Sequence, residues 1–234
     1  MTYTTLRIRA RPRNTALESV KPKSAVLIDG SALFLASRLH GEGAEGPPRL
    51  DYKALVDVLT QEVEGLSLPT TSTQESPWVM WTAASPNNEG QTKFLDFIAH
   101  ELHWEVRRYF PSQAFVFEPT SVFGIGGGDG TKTSRLIRFD AQIAFAMGRL
   151  AQDHKVVVVS DSFSLYDPML RIAEFSEKPT LAFFGRDLDP RWHSVIKGDD
   201  PTPQFVDLER FESELYNIPR KEVPRTGKQS VFVY

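Results

Sequence analysis

The chain has 234 residues, of which 41% are hydrophobic and 24% charged, and a formal net charge of −3. This is the profile of a medium globular domain that can bury a core without covalent staples. It contains no cysteine, which excludes disulfides and thiolate zinc sites, and its apolar runs, such as that at 156–159, are far too short to cross a bilayer; a cytoplasmic protein without membrane association is expected.

Residues 1–23 form a basic N-terminal extension, with Arg7, Arg9, Arg11, Arg13, Lys21 and Lys23 against Glu18. From Ser24 the pattern is that of a folded domain running to residue 218. "SAVLIDG" reads as a buried strand stopping at Asp-Gly, followed by a helix over "SALFLASRLH" and a loop over "GEGAEGPP". Asp51 is placed to cap a second helix, which sets Leu55, Val58, Leu59 and Val63 on one face. "WVMWTAA" reads as a strand, "NNEGQTKFLDFIAHEL" as a helix and "WEVRRYF" as a third strand, with "AFVFE" a further or edge strand. A glycine-rich loop leads into a helix over "TSRLIRFDAQIAFAMGRLAQD". "KVVVVSD" then reads as a strand apolar on both faces, as parallel sheets require. Asp167 and Pro168 fit the cap and first position of another helix, and "PTLAFFG" is a last strand, with 188–208 a terminal helix or loop covering the sheet edge. Residues 219–234 form a second basic tail, with Arg220, Lys221, Arg225 and Lys228 against Glu222. Basic arms on an acidic body suit contact with polyanions, though solvated tails have the same composition. The strand-like "KQSVFVY" offers an edge for a protein partner or a second copy.

The alternation argues an α/β three-layer sandwich with a mainly parallel central sheet, whose active crevice lies at the carboxyl ends of its strands. Two strands end there in aspartate, Asp29 and Asp161. Each has a plain alternative, turn chemistry for Asp29 and a cap for Asp161. On a continuous helix from Thr133, Asp140 falls among Leu136, Ile137, Ile143, Ala144 and Met147, opposite Arg138, Gln142, Arg149 and Gln152. A carboxylate on an apolar stripe needs an ion-pair partner or a cation. Three aspartates at one edge, without cysteine, suit Mg²⁺ or Mn²⁺, and such ions serve phosphodiester hydrolysis.

"FGIGGGDGTKTSR" looks like a phosphate loop, but Thr131 stands where the glycine before Lys132 belongs. The expectation is a glycine-rich lid carrying Lys132 and Arg135 over the acidic edge. Arg107 and Arg108 at a strand end, with Arg138 at the head of the Asp140 helix, complete a basic group able to hold nucleic-acid phosphates. Tyr109, Phe110 and Phe123 offer rings to unpaired bases, although aromatics near strand ends are commonly core.

The run "AVLIDGSALF", "RFDAQIAFAMGRLA", "KVVVVSDSFSLYDPML", "PTLAFFG" and "FVDLERF" resembles an NYN domain, the LabA-like branch of the PIN-like nuclease superfamily, over 24–211. The resemblance implies a PIN-like (Rossmannoid) fold and a metal-dependent ribonuclease acting on single-stranded RNA. By position, it makes Asp29, Asp140 and Asp161 the ligands of Mg²⁺ or Mn²⁺, with Asp167 a candidate fourth. Ala32 stands where the family carries asparagine, and "SDSFSLYDP" lacks the glycine of its counterpart. These departures imply an alternative, a degenerate domain serving as an RNA-binding or protein-interaction adaptor.

Overall fold

The computed structural model describes residues 23–39, 50–69, 77–85, 87–110, 138–198 and 201–216. The basic extension up to residue 22, the "AFVFE" strand, the glycine-rich loop with Phe123, Lys132 and Arg135, and the C-terminal tail lie outside the described residues.

The chain runs β1 (Lys23–Asp29), α1 (Gly30–Leu39), α2 (Tyr52–Glu62), β2 (Trp78–Ala83), α3 (Glu89–Glu101) and β3 (Glu105–Tyr109). It continues through α4 (Asp140–Leu150), β4 (His154–Val159), α5 (Tyr166–Ala173), β5 (Thr180–Phe183), α6 (Trp192–Val195), β6 (Gln204–Asp207) and α7 (Glu212–Leu215). All six strands among the described residues form one sheet of order β3-β2-β1-β4-β5-β6, and every neighbouring pair is parallel. From β1 the chain steps outward to β2 and β3, then returns to lay β4 against β1 and steps the other way. Right-handed crossovers in opposite directions put helices on opposite faces, which gives the three layers of an α/β sandwich.

The strands are legible in their residues. Ala25 to Ile28 and Val156 to Val159 are buried on both sides, as strands covered by helices on both faces must be, and each fully buried valine or isoleucine contributes about 1.5–3 kcal/mol. Trp78 and Trp104 stack with ring centres 5.4 Å apart, and Tyr52 meets Trp104 edge-on. Asp51 caps α2 by accepting from the Lys53 and Ala54 N–H groups, and its own N–H donates to the Leu215 carbonyl at 2.7 Å, tying α7 to the head of α2.

Four local readings are corrected. The helix bearing Asp140 begins at Asp140 itself; Arg138 and Phe139 precede it, and Arg138, off the helix, makes an ion pair described below. Asp167 does not cap α5 but is an exposed second residue, since a 3₁₀ turn over Phe163–Leu165 runs directly into a helix that starts at Tyr166. The segment expected to cover the sheet edge instead supplies a sixth strand, Gln204–Asp207, too short and too mixed in burial to carry a period-two signal. Tyr109 and Phe110 are not core but exposed, at 46% and 54%, because β3 ends the strand order among the described residues and has a neighbouring strand there on one side alone.

Candidate functional site

Order β3-β2-β1-β4-β5-β6 reverses direction between β1 and β4, and crevices for ligands open at such a point, beyond the carboxyl ends of the strands. Ile28 of β1 pairs in register with Val159 of β4, so Asp29 and the Ser160–Asp161 step emerge side by side at the reversal.

Asp29 is fully buried. Its Oδ1 accepts from the Ser31 and Ala32 N–H groups, both at 3.0 Å, fastening it to the first turn of α1. Its Oδ2 is buried and has no hydrogen-bond partner among the described residues. The next residue must be glycine for room: a Cβ on Gly30 would lie 2.9 Å from Met80 Cγ and 3.0 Å from the Trp81 carbonyl oxygen. Burial pushes the Asp29 carboxyl up to about 7; the charges of Asp161 and Asp140 add to the rise, while the Ala32 N–H and Arg138 oppose it.

Asp140 opens α4, where the helix dipole favours a carboxylate. The hydroxyls of Ser162 and Ser164 donate to its Oδ2 at 2.8 and 2.5 Å and lie 2.6 Å from each other. Its Oδ1 is buried without a partner among the described residues. Asp29 and Asp140 are thus held alike, one oxygen anchored and the other buried and unsatisfied. Such an oxygen is costly unless it meets a proton or a cation.

Asp161 is held differently. Arg138 forks onto it, with Nη1 donating to Oδ1 at 3.0 Å and Nη2 to Oδ2 at 3.2 Å. The Asp161 carboxyl is raised by burial, against the pull of Arg138. Burial works against the Arg138 charge, but Asp161, then Asp140 and Asp29, hold its proton more tightly than usual. The three carboxylates and the guanidinium therefore form one electrostatic cluster, with more negative than positive charge. Among the described residues, no three His, Asp or Glu side chains are gathered so as to hold a metal ion. The buried carboxylate oxygens without a partner among the described residues are one on Asp29 and one on Asp140, whereas both oxygens of Asp161 accept from Arg138.

The remaining candidates lie elsewhere. Arg107 and Arg108 sit on edge strand β3, two strands from β1. Arg107 bonds Glu105 at 2.8 Å and lies over the Trp81 ring at 5.0 Å, and Arg108 bonds Asp96 at 2.5 Å. Asp167 is exposed on the first turn of α5. Tyr109, at the carboxyl end of β3, meets Phe139 edge-on, with ring centres 6.4 Å apart. That contact sets an exposed aromatic against the buried residue that precedes Asp140.

Sequence reasoning missed Ser162 and Ser164, and it placed Arg138 on the solvent face of a helix. The only available signal was the serine spacing in "SDSFS". It also passed over Arg191, whose guanidinium forks onto Asp189 at 2.9 and 2.7 Å and lies 4.6 Å from the Phe163 ring centre. The Asp189 N–H in turn donates to the Asp161 carbonyl at 3.2 Å.

Among the described residues, no helix is long and apolar enough to cross a membrane. No family model matches the chain, and no curated protein matches it. Among solved structures, it is similar to a protein of unknown function from Vibrio parahaemolyticus, with a TM-score of 0.51 and 19% identity over 80% of this chain and 99% of that one. That likeness is one of fold.

Proposed function

We propose that the chain is a metal-dependent ribonuclease of the NYN type, hydrolysing phosphodiester bonds in single-stranded RNA, and that it works in the cytoplasm. The observation that carries this reading is the pair of buried, unsatisfied carboxylate oxygens, Asp29 Oδ2 and Asp140 Oδ1, at the point where the strand order reverses. Asp29 and Asp140 would hold Mg²⁺ or Mn²⁺, a cation that commonly takes one or two protein carboxylates and completes its shell with water and phosphate oxygens. When bound, such an ion polarises the phosphoryl group and supplies an activated water.

The chain's own residues do the rest. The Ser31 and Ala32 N–H groups fix the Asp29 carboxylate, and the Ser162 and Ser164 hydroxyls fix that of Asp140, so neither must reorganise to present its second oxygen. The Arg138 guanidinium offsets part of the acidic charge that would repel a phosphodiester. Tyr109, exposed against Phe139, and the exposed Phe110 that follows it offer rings on which unpaired bases can stack.

A second reading has its own observation. The Arg138 fork on Asp161 places a fixed cation against the third carboxylate, as expected of a domain that has kept the fold and the acidic edge but binds RNA, or a protein partner, without cleaving it. The test incubates purified protein and Asp140→Asn with labelled single-stranded RNA and DNA in Mn²⁺, Mg²⁺ or EDTA. The nuclease reading expects RNA cleavage that both EDTA and the substitution abolish; cleavage surviving both sinks it. Salt-dependent retention of RNA without cleavage selects the adaptor.

A further inference from the structure

The three carboxylates are unequal. Asp29 and Asp140 each offer an unsatisfied oxygen, whereas both oxygens of Asp161 are engaged by one guanidinium. A cation entering beside Asp29 and Asp140 meets an Asp161 whose charge is already offset, and whose oxygens each hold one N–H, while Arg138 stays in place. The side chain of Asp161 is 7% exposed and that of Arg138 is 30% exposed. The carboxylate is therefore enclosed, while its partner has a way out to solvent. Phe139, beside Arg138, is buried at the head of α4, which fixes the backbone from which the guanidinium reaches Asp161. Arginine matches a phosphate as well as it matches a carboxylate, with two parallel N–H donors in either case.

We infer that Arg138 is a displaceable internal cation: it withholds Asp161 from the carboxylate set until a nucleic-acid phosphate takes the guanidinium, so that full divalent-cation binding depends on bound polyanion. This rests on the proposed function and adds a coupling between its two ligands. The exchange keeps the charges balanced. Asp161 loses a guanidinium and gains a share of the divalent ion, and the guanidinium gains a phosphate. Leaving Asp161 buried with neither would be unfavourable, so Arg138 does not leave in the absence of both. The coupling is reciprocal: whatever factor the polyanion adds to cation affinity, the cation adds to polyanion affinity.

The test measures Mn²⁺ binding from the paramagnetic resonance of the free ion, with and without a 2′-O-methyl oligoribonucleotide that cannot be cleaved. It uses the full chain, Arg138→Gln, Arg138→Lys and Asp29→Asn, each checked for folding by circular dichroism. The oligonucleotide should tighten Mn²⁺ binding to the natural chain by about tenfold, an ordinary size for coupling between two sites. Arg138→Gln should bind Mn²⁺ more tightly than the natural chain without oligonucleotide and gain nothing when it is added. Arg138→Lys, which keeps the charge but cannot fork, should fall between them and serves in its place should the glutamine variant not fold. Equal Mn²⁺ affinity in the natural chain and the Arg138 variants, with or without oligonucleotide, overturns the exchange but leaves the cation reading standing. Absence of Mn²⁺ binding in every protein, with Asp29→Asn indistinguishable from the rest, overturns both.

Discussion

Replacing Asp29 with asparagine changes how stability depends on pH, and the size of the change follows from the site. The Asp29 carboxyl is raised from 3.8 to about 7, first by burial. A carboxyl raised on folding stabilises the native state most fully below its unfolded value, and that contribution is lost as pH rises through the folded value. Over the whole window the loss is about 4 kcal/mol at most. Roughly 2.5 kcal/mol of it falls between about pH 5 and about pH 8 by the same linkage. In Asp29→Asn the side-chain oxygen still accepts from the Ser31 and Ala32 N–H groups, and the side chain carries no proton equilibrium. Its amide nitrogen takes the place of the unsatisfied Oδ2 at a cost of about 1–3 kcal/mol, which does not vary with pH. Asp161, also raised chiefly by burial, is common to both proteins and largely cancels. The stability difference should therefore move by about 2.5 kcal/mol in the variant's favour from about pH 5 to about pH 8. In a chain of this size that is a change of about 5–10 °C in the gap between melting temperatures. Thermal melts in EDTA at the two pH values measure it. A gap that is the same at both would refute the argument, because a buried carboxylate bearing an unsatisfied charge cannot be indifferent to its own ionisation.

Other substitutions probe the rest of the site. Gly30→Ala puts a methyl group against Met80 and the Trp81 carbonyl; Met80 can yield and the carbonyl cannot, so urea melts should show a loss of about 1–3 kcal/mol, and an unchanged midpoint would contradict the close approach. Ser162→Ala and Ser164→Ala share one acceptor oxygen and touch each other, so a double-mutant cycle should give a coupling of at least about 0.5 kcal/mol, and simple additivity would show that they act separately. Tyr109→Ala, at an exposed position, should weaken single-stranded RNA binding by about 1–3 kcal/mol in a filter-binding assay while its melting point shifts little; intact affinity would take the ring out of the interface.

How much of this was legible in the residues varied with the kind of signal. β1 and β4 announced themselves because four or more consecutive buried residues ending in aspartate leave few alternatives to a parallel core strand. A parallel sheet puts all strand ends on one side, so the sequence alone places Asp29 and Asp161 on a common edge. Arg138 could not be placed, because a helical wheel presumes a helix. The apolar Leu136 and Ile137 extend the helical period upstream in the sequence, whereas Arg138 precedes the helix and is held by a contact 23 positions away. The serines gripping Asp140 carry no periodic signature, and their role exists only once the 3₁₀ turn after β4 has folded them under α4. β6 is four residues long with one buried side chain, too little for a pattern to form.

The seam between β1 and β4 has a consequence for how the protein assembles. Asp29 belongs to the first half of the sheet, and Asp140, Asp161 and Arg138 to the second; more than half the chain separates Asp29 from Asp161. Each half is built largely from pairings close in sequence, β1 to β2 to β3 and β4 to β5 to β6, while the β1–β4 pairing closes the longest loop of any strand pairing among the described residues. Loop-closure entropy makes such a step slow. The repulsion of Asp29 by Asp140 and Asp161 is therefore postponed to that closing step. Two fragments divided within 111–137 would each carry part of the cluster, and their reassociation would restore the whole of it at once.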